Sequence, residues 1–221
     1  MDILDAGIVQ FVYFLVALIV TLTVHEASHA LAAYYLGDPT AKLNGRLTLN
    51  PIPHLDPVGS IVFLLTQKIG WGKPVPVNPA NFKNPVRDNA LMALAGPFSN
   101  FILAFIVMLP LKYIGGNESL APYLPEYIAQ LLWMIFHVSI FLGIFNLFPL
   151  PPLDGSKILG IIMPKRWYAG YEKFLRNGLK YFVAIILIDV FLIRSFFGIS
   201  IFASIMWYLH DIVSMILLLG G

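Results

Sequence analysis

Residues 8–24 carry no charged side chain and are almost wholly apolar. Inside a bilayer such a run has no water to satisfy its backbone, so it must bond to itself as a helix or close into a barrel. Comparable runs recur at 89–111, 126–148, 181–197 and 199–219. Each falls in the roughly 17–25 residues that cross about 30 Å of hydrocarbon. Only 12% of the 221 residues are charged and mean hydropathy is +0.79, against about 25% charged in soluble domains. The expected fold is an all-α polytopic membrane protein with about five full transmembrane helices in a single membrane domain, residues 1–221. Within it, 8–160 form one core and 181–219 a C-terminal helical hairpin that turns at Gly198. The first run has no basic residues before it, so it does not read as a cleavable signal peptide.

The first span continues past this run, from about residue 8 to residue 36, and ends in chemistry. Its later half holds His25, Glu26 and His29, an H-E-x-x-H pattern. On a helix, positions four apart share one face, so both rings can reach one ion. Glu26 lies beside them, within reach of a water on that ion. Zn²⁺ suits imidazole, a catalytic zinc keeps a position open for water, and Glu26 would serve as general base. The chain has no cysteine, so any metal here takes His, Asp, Glu or water. Ionisable groups at the end of a hydrophobic span are functional candidates by default.

A catalytic zinc needs a third protein ligand, usually His or a carboxylate. The span at 126–148 ends in Asn146-Leu-Phe-Pro149-Leu-Pro151-Pro152-Leu153-Asp154-Gly155. Prolines cannot continue a helix, so the chain unwinds there and Asp154 lies on irregular backbone near the membrane boundary. An Asp-Gly turn with a solvated carboxylate is the plainer alternative. The charges bear on the choice. With the N-terminus outside, loops 37–88 and 150–180 share the cytoplasmic side. They hold six basic residues each (Lys42, Arg46, Lys68, Lys73, Lys83 and Arg87; Lys157, Lys165, Arg166, Lys173, Arg176 and Lys180), twelve of the fourteen in the chain. The positive-inside rule favours that orientation. It puts His29 and Asp154 at the same side of the membrane, without using the metal in the argument.

Smaller segments fill in the surroundings. Residues 58–65 are apolar but too short to cross, and read as re-entrant or interfacial. Arg46-Leu47-Thr48-Leu49 alternates between turn signals, so residues 41–49 read as a short strand or hairpin near the site. Ala95-Gly96-Pro97 implies a kink or a close helix approach.

In these elements the chain resembles the site-2 protease family of intramembrane zinc metalloproteases. The resemblance rests on His25-Glu26-Ala-Ser-His29 followed by Asn146-x-x-Pro149-x-x-x-Leu153-Asp154-Gly155. It continues through Asn50-Pro51-x-x-His54-x-Asp56-Pro57-x-Gly59, Gly72-Lys73-Pro74-Val75-Pro76-Val77-Asn78 and Ala95-Gly96-Pro97-x-x-Asn100. It covers about residues 8–160, without an insert long enough for a PDZ domain or a soluble regulatory domain after the last span.

The resemblance implies one Zn²⁺ on His25, His29 and Asp154, Glu26 as the catalytic carboxylate, and an aiding role for Asn146 toward substrate or oxyanion. A helix C-cap bond is the alternative for Asn146. It further implies peptide hydrolysis within or near transmembrane segments of membrane-protein substrates, as in regulated intramembrane proteolysis. The expected setting is a prokaryotic plasma membrane, with the active site toward the cytoplasm and no nucleic-acid partner. A substrate helix must unwind to be cut, and its extended stretch is expected to pair with Arg46, Leu47, Thr48 and Leu49 by strand addition. His54 stands as a substrate contact or a structural loop histidine. His137, Asp189, Arg194, His210 and Asp211 are read as packing or pairing groups outside the site. Two other classes compete: an inactive module that binds membrane helices, and a metal-ion transporter. Co²⁺ or Fe²⁺ could also occupy such a ligand set.

Overall fold

The computed structural model describes residues 3–66 and 70–219; Asp2 and Lys68 lie outside them. Every regular element among the described residues is helical. Four helices are long and apolar enough to cross a membrane: Gly7–Tyr35, Pro85–Tyr113, Glu126–Leu147 and Ile201–Leu218. The first belongs to α1 (Ile3–Tyr35), the second is α4 (Pro85–Tyr113), the third α5 (Glu126–Leu147), and the fourth belongs to α10 (Ile201–Leu219). The chain is an integral membrane protein.

α1, α4 and α5 pack on one another, and α10 adds to α5. Their contact is made by small residues and by shape. Ala17, Ala30, Ala33, Ala90, Ala93 and Ala104 are fully buried, which lets backbones approach closely where lipid offers no hydrophobic drive. Phe136 and Ile140 fill the core between them. One hydroxyl pair, Thr21 Oγ1 and Ser139 Oγ at 3.0 Å, ties α1 to α5 inside the bundle.

Between α1 and α4 the chain makes the parts that frame the site. α2 (Thr40–Leu43) is one helical turn, and α3 (Pro57–Thr66) has ten residues, about 15 Å of rise. α3 is therefore too short to cross, as its length in sequence implies. Its Phe63 lies against Phe11 and Phe14 of α1, with ring centroids 6.3 and 5.9 Å apart. Afterwards Gly70 returns beside Phe63, Trp71 beside Gly59, and Gly72 beside Leu22. Both α3 and the segment from Gly70 to Gly72 thus lie against α1 or against each other.

Residues 41–49 do not form the expected strand. Residues 41–43 belong to α2 and the rest are turns and bends, with Arg46 N–H bonded back to the Ala41 carbonyl at 2.9 Å. The alternation misleads because Arg46 is the buried member, its guanidinium bonded to the Lys73 carbonyl, while Leu49 faces out. Among the described residues the one β-bridge joins Leu55 to Gly72. Asp38, at the end of α1, holds the neighbouring loop. It accepts from the N–H groups of Thr40 (3.1 Å) and Asn78 (2.7 Å) and from Asn81 Nδ2 (2.7 Å).

The expected fifth span, residues 181–197, lies in a continuous helical stretch, 178–197, that changes pitch midway and is not among the four spanning helices. α6 (Gly155–Ile162) and α7 (Tyr168–Arg176) precede α8 (Gly178–Leu187), a π-helical segment (Ile188–Ile193) and α9 (Arg194–Phe197). None of the last three alone reaches spanning length. Asp189, in the π segment, is buried and faces the start of α10. Its carboxylate accepts from Ser200 Oγ and from the N–H groups of Ile201 (2.8 Å) and Phe202 (3.3 Å). It thus caps the start of α10, where free N–H groups and the helix dipole favour an anion.

Candidate metal centre

His25 and His29 project from one face of α1 into the bundle, both buried. Facing them is Asp154, just past the segment where α5 has ended and the backbone turns through residues 148–154. That turn is tight: a Cβ on Gly155 would sit 2.1 Å from the Leu147 carbonyl oxygen, so the return past α5 requires glycine there. The atoms His25 Nε2, His29 Nε2 and Asp154 Oδ2 form a triangle with sides of 3.2, 3.0 and 3.0 Å. Among the described residues they are the one group of three side chains that could hold a metal ion.

The surroundings test whether zinc fits. A tetrahedral ion with bonds near 2.0–2.1 Å separates its ligand atoms by about 3.3 Å, close to the triangle's sides. His29 Nδ1 lies 2.8 Å from the Met92 carbonyl oxygen. A carbonyl only accepts, so Nδ1 carries the proton and the neutral ring presents its Nε2 lone pair to the triangle. Gly96 on α4 makes the room. A Cβ there would lie 2.5 Å from His29 Cε1 and Nε2 and 2.6 Å from His25 Cε1. Asp154 uses its second oxygen, Oδ1, to accept from Lys157 Nζ at 3.0 Å. Burial pushes the Asp154 carboxyl up. The His25 hydrogen bond and the Lys157 charge outweigh it and hold the group below the usual carboxylate range. Two imidazole nitrogens and an ionised carboxylate oxygen, converging in a dry cradle, suit Zn²⁺.

A cavity of about 680 Å³ opens beside the triangle. α1, α3, the returning segment 70–74 and the end of α5 form its walls. Leu18, Leu22, Phe63, Trp71 and Phe145 make most of it apolar, and His25, Glu26 and Asn146 are among its few polar groups. Glu26 Oε2 accepts from the Val75 N–H at 3.2 Å. The same segment takes Arg46 on the Lys73 carbonyl. Burial lowers the Arg46 guanidinium's pKa, opposed by the charge of Glu26.

Of the residues singled out in the sequence, the structure brings His25, His29 and Asp154 together and puts His25, Glu26 and Asn146 on the cavity wall. Asn146 lies on the wall while its Nδ2 donates to the Leu142 carbonyl at 3.0 Å, the helix-end bond that was its alternative role. Arg46, Leu47, Thr48, Leu49 and His54 do not line it. His54 is fully buried with Nε2 donating to the Thr48 carbonyl at 2.9 Å, and its own carbonyl accepts from the Lys73 N–H at 2.9 Å. It braces the loop. Sequence reasoning missed what α4 supplies: the Met92 carbonyl, the space at Gly96 and Asn100, whose Nδ2 lies 3.0 Å from His25 Nδ1. The A-G-P-x-x-N stretch signalled a close approach, not its purpose.

Comparisons with known proteins agree with this geometry. Residues 124–188 match the family model of "Peptidase family M50". "Putative zinc metalloprotease YwhC" of Bacillus subtilis is 46% identical over 157 residues, 69% of this chain and 69% of that protein. A relative from Methanocaldococcus jannaschii with the same zinc-metalloprotease description is 39% identical over 75 residues, 33% of this chain and 34% of its own. Rip2 of Mycobacterium tuberculosis, described likewise, is 27% identical over 217 residues, 91% of this chain and 74% of its own. No solved structure matches the chain.

Proposed function

Because the chain belongs to peptidase family M50 and is a zinc metalloprotease of the membrane, we propose that it cuts membrane-protein substrates within or near their transmembrane segments, in the manner of regulated intramembrane proteolysis. The observation that carries this reading is the placement of the His25–His29–Asp154 triangle and Glu26 at an apolar cavity inside the bundle. A soluble protease has no need to hide its site among Leu18, Leu22, Phe63 and Phe145.

His25, His29 and Asp154 would hold the ion. When bound, zinc supplies Lewis acidity to the scissile carbonyl and acidifies water. Glu26 takes the proton of the attacking water on its carboxylate and returns it to the leaving amine. The Val75 N–H fixes the carboxylate's direction through Oε2. The apolar walls accept side chains from a substrate helix that has unwound locally, and they exclude bulk water, which strengthens polar interactions inside. Asn146 presents its amide to the same space. The N-terminus is outside and the site opens toward the cytoplasm of a prokaryotic cell, as the distribution of Lys and Arg supports.

The test uses detergent-purified protein and a membrane substrate. Wild type should carry about one zinc per chain and cleave. Glu26→Gln should keep its zinc and lose cleavage by about 10³-fold or more, the loss of general base and electrostatic assistance together. Asp154→Ala should lose both. Cleavage that persists in Glu26→Gln, or a wild type without zinc, overturns the reading.

A further inference from the structure

The two histidines are not braced alike. Met92, Gly96 and Asn100 lie four residues apart, so they share one face of α4, and that face meets the rings. Met92 serves His29 with a carbonyl oxygen, an acceptor that allows one tautomer only. Asn100 serves His25 with an amide. Asn100 is fully buried, and its Nδ2 lies 3.0 Å from His25 Nδ1 while its Oδ1 has no partner. Holding an ion through Nε2 puts the neutral ring's proton on Nδ1 and demands an acceptor there.

We infer that Asn100 is a positioning residue for His25, presenting its amide oxygen to Nδ1–H when Nε2 holds the ion. This rests on the zinc assignment above. A half-turn about χ2 exchanges Nδ2 and Oδ1 at nearly constant shape. The unpartnered Oδ1 then accepts from Nδ1–H, and His25 Nε2 turns its lone pair toward the ion. A carboxylate there also suits the Nδ1–H form, and an apolar group does not. His29 is braced by a backbone carbonyl and His25 by a side chain, so only the second brace can be removed by substitution.

The test compares Asn100→Leu and Asn100→Asp with wild type as full-length purified chains. Zinc affinity is read by competition with a chelator, and ligand geometry by the absorption spectrum of the Co²⁺-loaded protein. Outer partners of metal-bound histidines are worth about 10–100-fold in affinity. Asn100→Leu should lose that much and change the Co²⁺ spectrum, while Asn100→Asp should restore affinity to wild type or better. Equal affinity in Asn100→Leu and wild type overturns the inference and leaves the zinc assignment standing. So does equal weakening in both variants, which marks a packing role. Should Asn100→Leu not fold, a folded Asn100→Asp that binds zinc more than about 10-fold below wild type overturns it. A wild type that binds no zinc overturns the zinc assignment itself.

Discussion

The bundle contains two histidine pairs, and only one of them makes a metal site. His25 and His29 are four apart on α1, with Nε2 atoms 3.0 Å from each other. His137 on α5 and His210 on α10 also touch, Nδ1 to Nε2, at 2.9 Å. Ring chemistry and contact distance are therefore the same. The difference lies in where the remaining nitrogens look. In the second pair His210 Nδ1 lies 3.3 Å from Asp211 Oδ1, so His210 donates outward and accepts from His137. Each ring's need is met by the next group in a line. Phe141 stacks on His210 with centroids 4.3 Å apart, and Trp133 stands edge-on to His137 at 4.7 Å. The Asp211 side chain is 76% exposed and on the outer side of the pair. In the first pair both Nε2 atoms instead converge on the buried Asp154, and α4 supports each ring from behind. Convergence and outer bracing make the site; the number of histidines does not.

The comparison breaks most sharply at Gly96. Adding a Cβ 2.5 Å from the His29 ring imposes about 1–3 kcal/mol of overpacking, and it falls on ligand geometry. Gly96→Ala should lower zinc affinity by about 10–100-fold, each tenfold being 1.4 kcal/mol, as measured by chelator competition. Gly143→Ala is the matched control. Its Cβ would meet the Phe101 ring at 2.8 Å, away from the ligands, so it should lower thermal stability and leave zinc binding unchanged. Equal zinc loss in both would mean that the site senses general bundle packing rather than the cradle at Gly96.

That contrast also explains what could be read from the sequence. His25, Glu26 and His29 announce themselves because a helix converts spacing into a shared face. Asp154 follows because prolines end α5 and leave one carboxylate on irregular backbone. The α4 contribution was illegible for a physical reason: a backbone carbonyl at Met92 and a missing Cβ at Gly96 leave no side-chain signal. Asn100 was visible, but a lone amide in an apolar span does not say which ring it faces. Arg46-Leu47-Thr48-Leu49 looked like a strand because four residues are too few to separate pleat alternation from one inward arginine held by the Lys73 carbonyl. In the C-terminal hairpin the apolar composition of residues 181–197 was plain, but composition carries no record of pitch. The π turn at Ile188–Ile193 and the capping role of Asp189 depend on pitch and on the tertiary start of α10.

A smaller effect sharpens the other side of the comparison. If His137 and His210 form a closed interhelical bond, removing either ring leaves the other with an unmet polar atom inside the bundle. His137→Phe or His210→Phe should each destabilise by about 1–3 kcal/mol, the cost of a buried unsatisfied group. The double variant should cost less than the sum, because it removes donor and acceptor together. Zinc content should stay at the wild-type level in all three. Loss of zinc in the single variants would tie the two pairs together and undo the distinction drawn between them.

The smallest expected effect concerns the carboxylates. Asp154 has Lys157 on its second oxygen, at 3.0 Å; Asp211 has His210 alone. The Lys157 side chain is 33% exposed, so water screens much of its charge and its worth is that of a surface pair, up to about 1 kcal/mol. Lys157→Met keeps the apolar stem and removes the charge and the hydrogen bond. It should weaken zinc binding by at most about 5-fold, well short of Gly96→Ala. The reason lies in which oxygen each partner uses. Lys157 holds Oδ1 and orients the carboxylate, while Oδ2 alone faces the two rings, and His25 and His29 remain to direct it. A loss as large as that of Gly96→Ala would make Lys157 the main support of Asp154 and move the weight of the site from α4 to the first turn of α6.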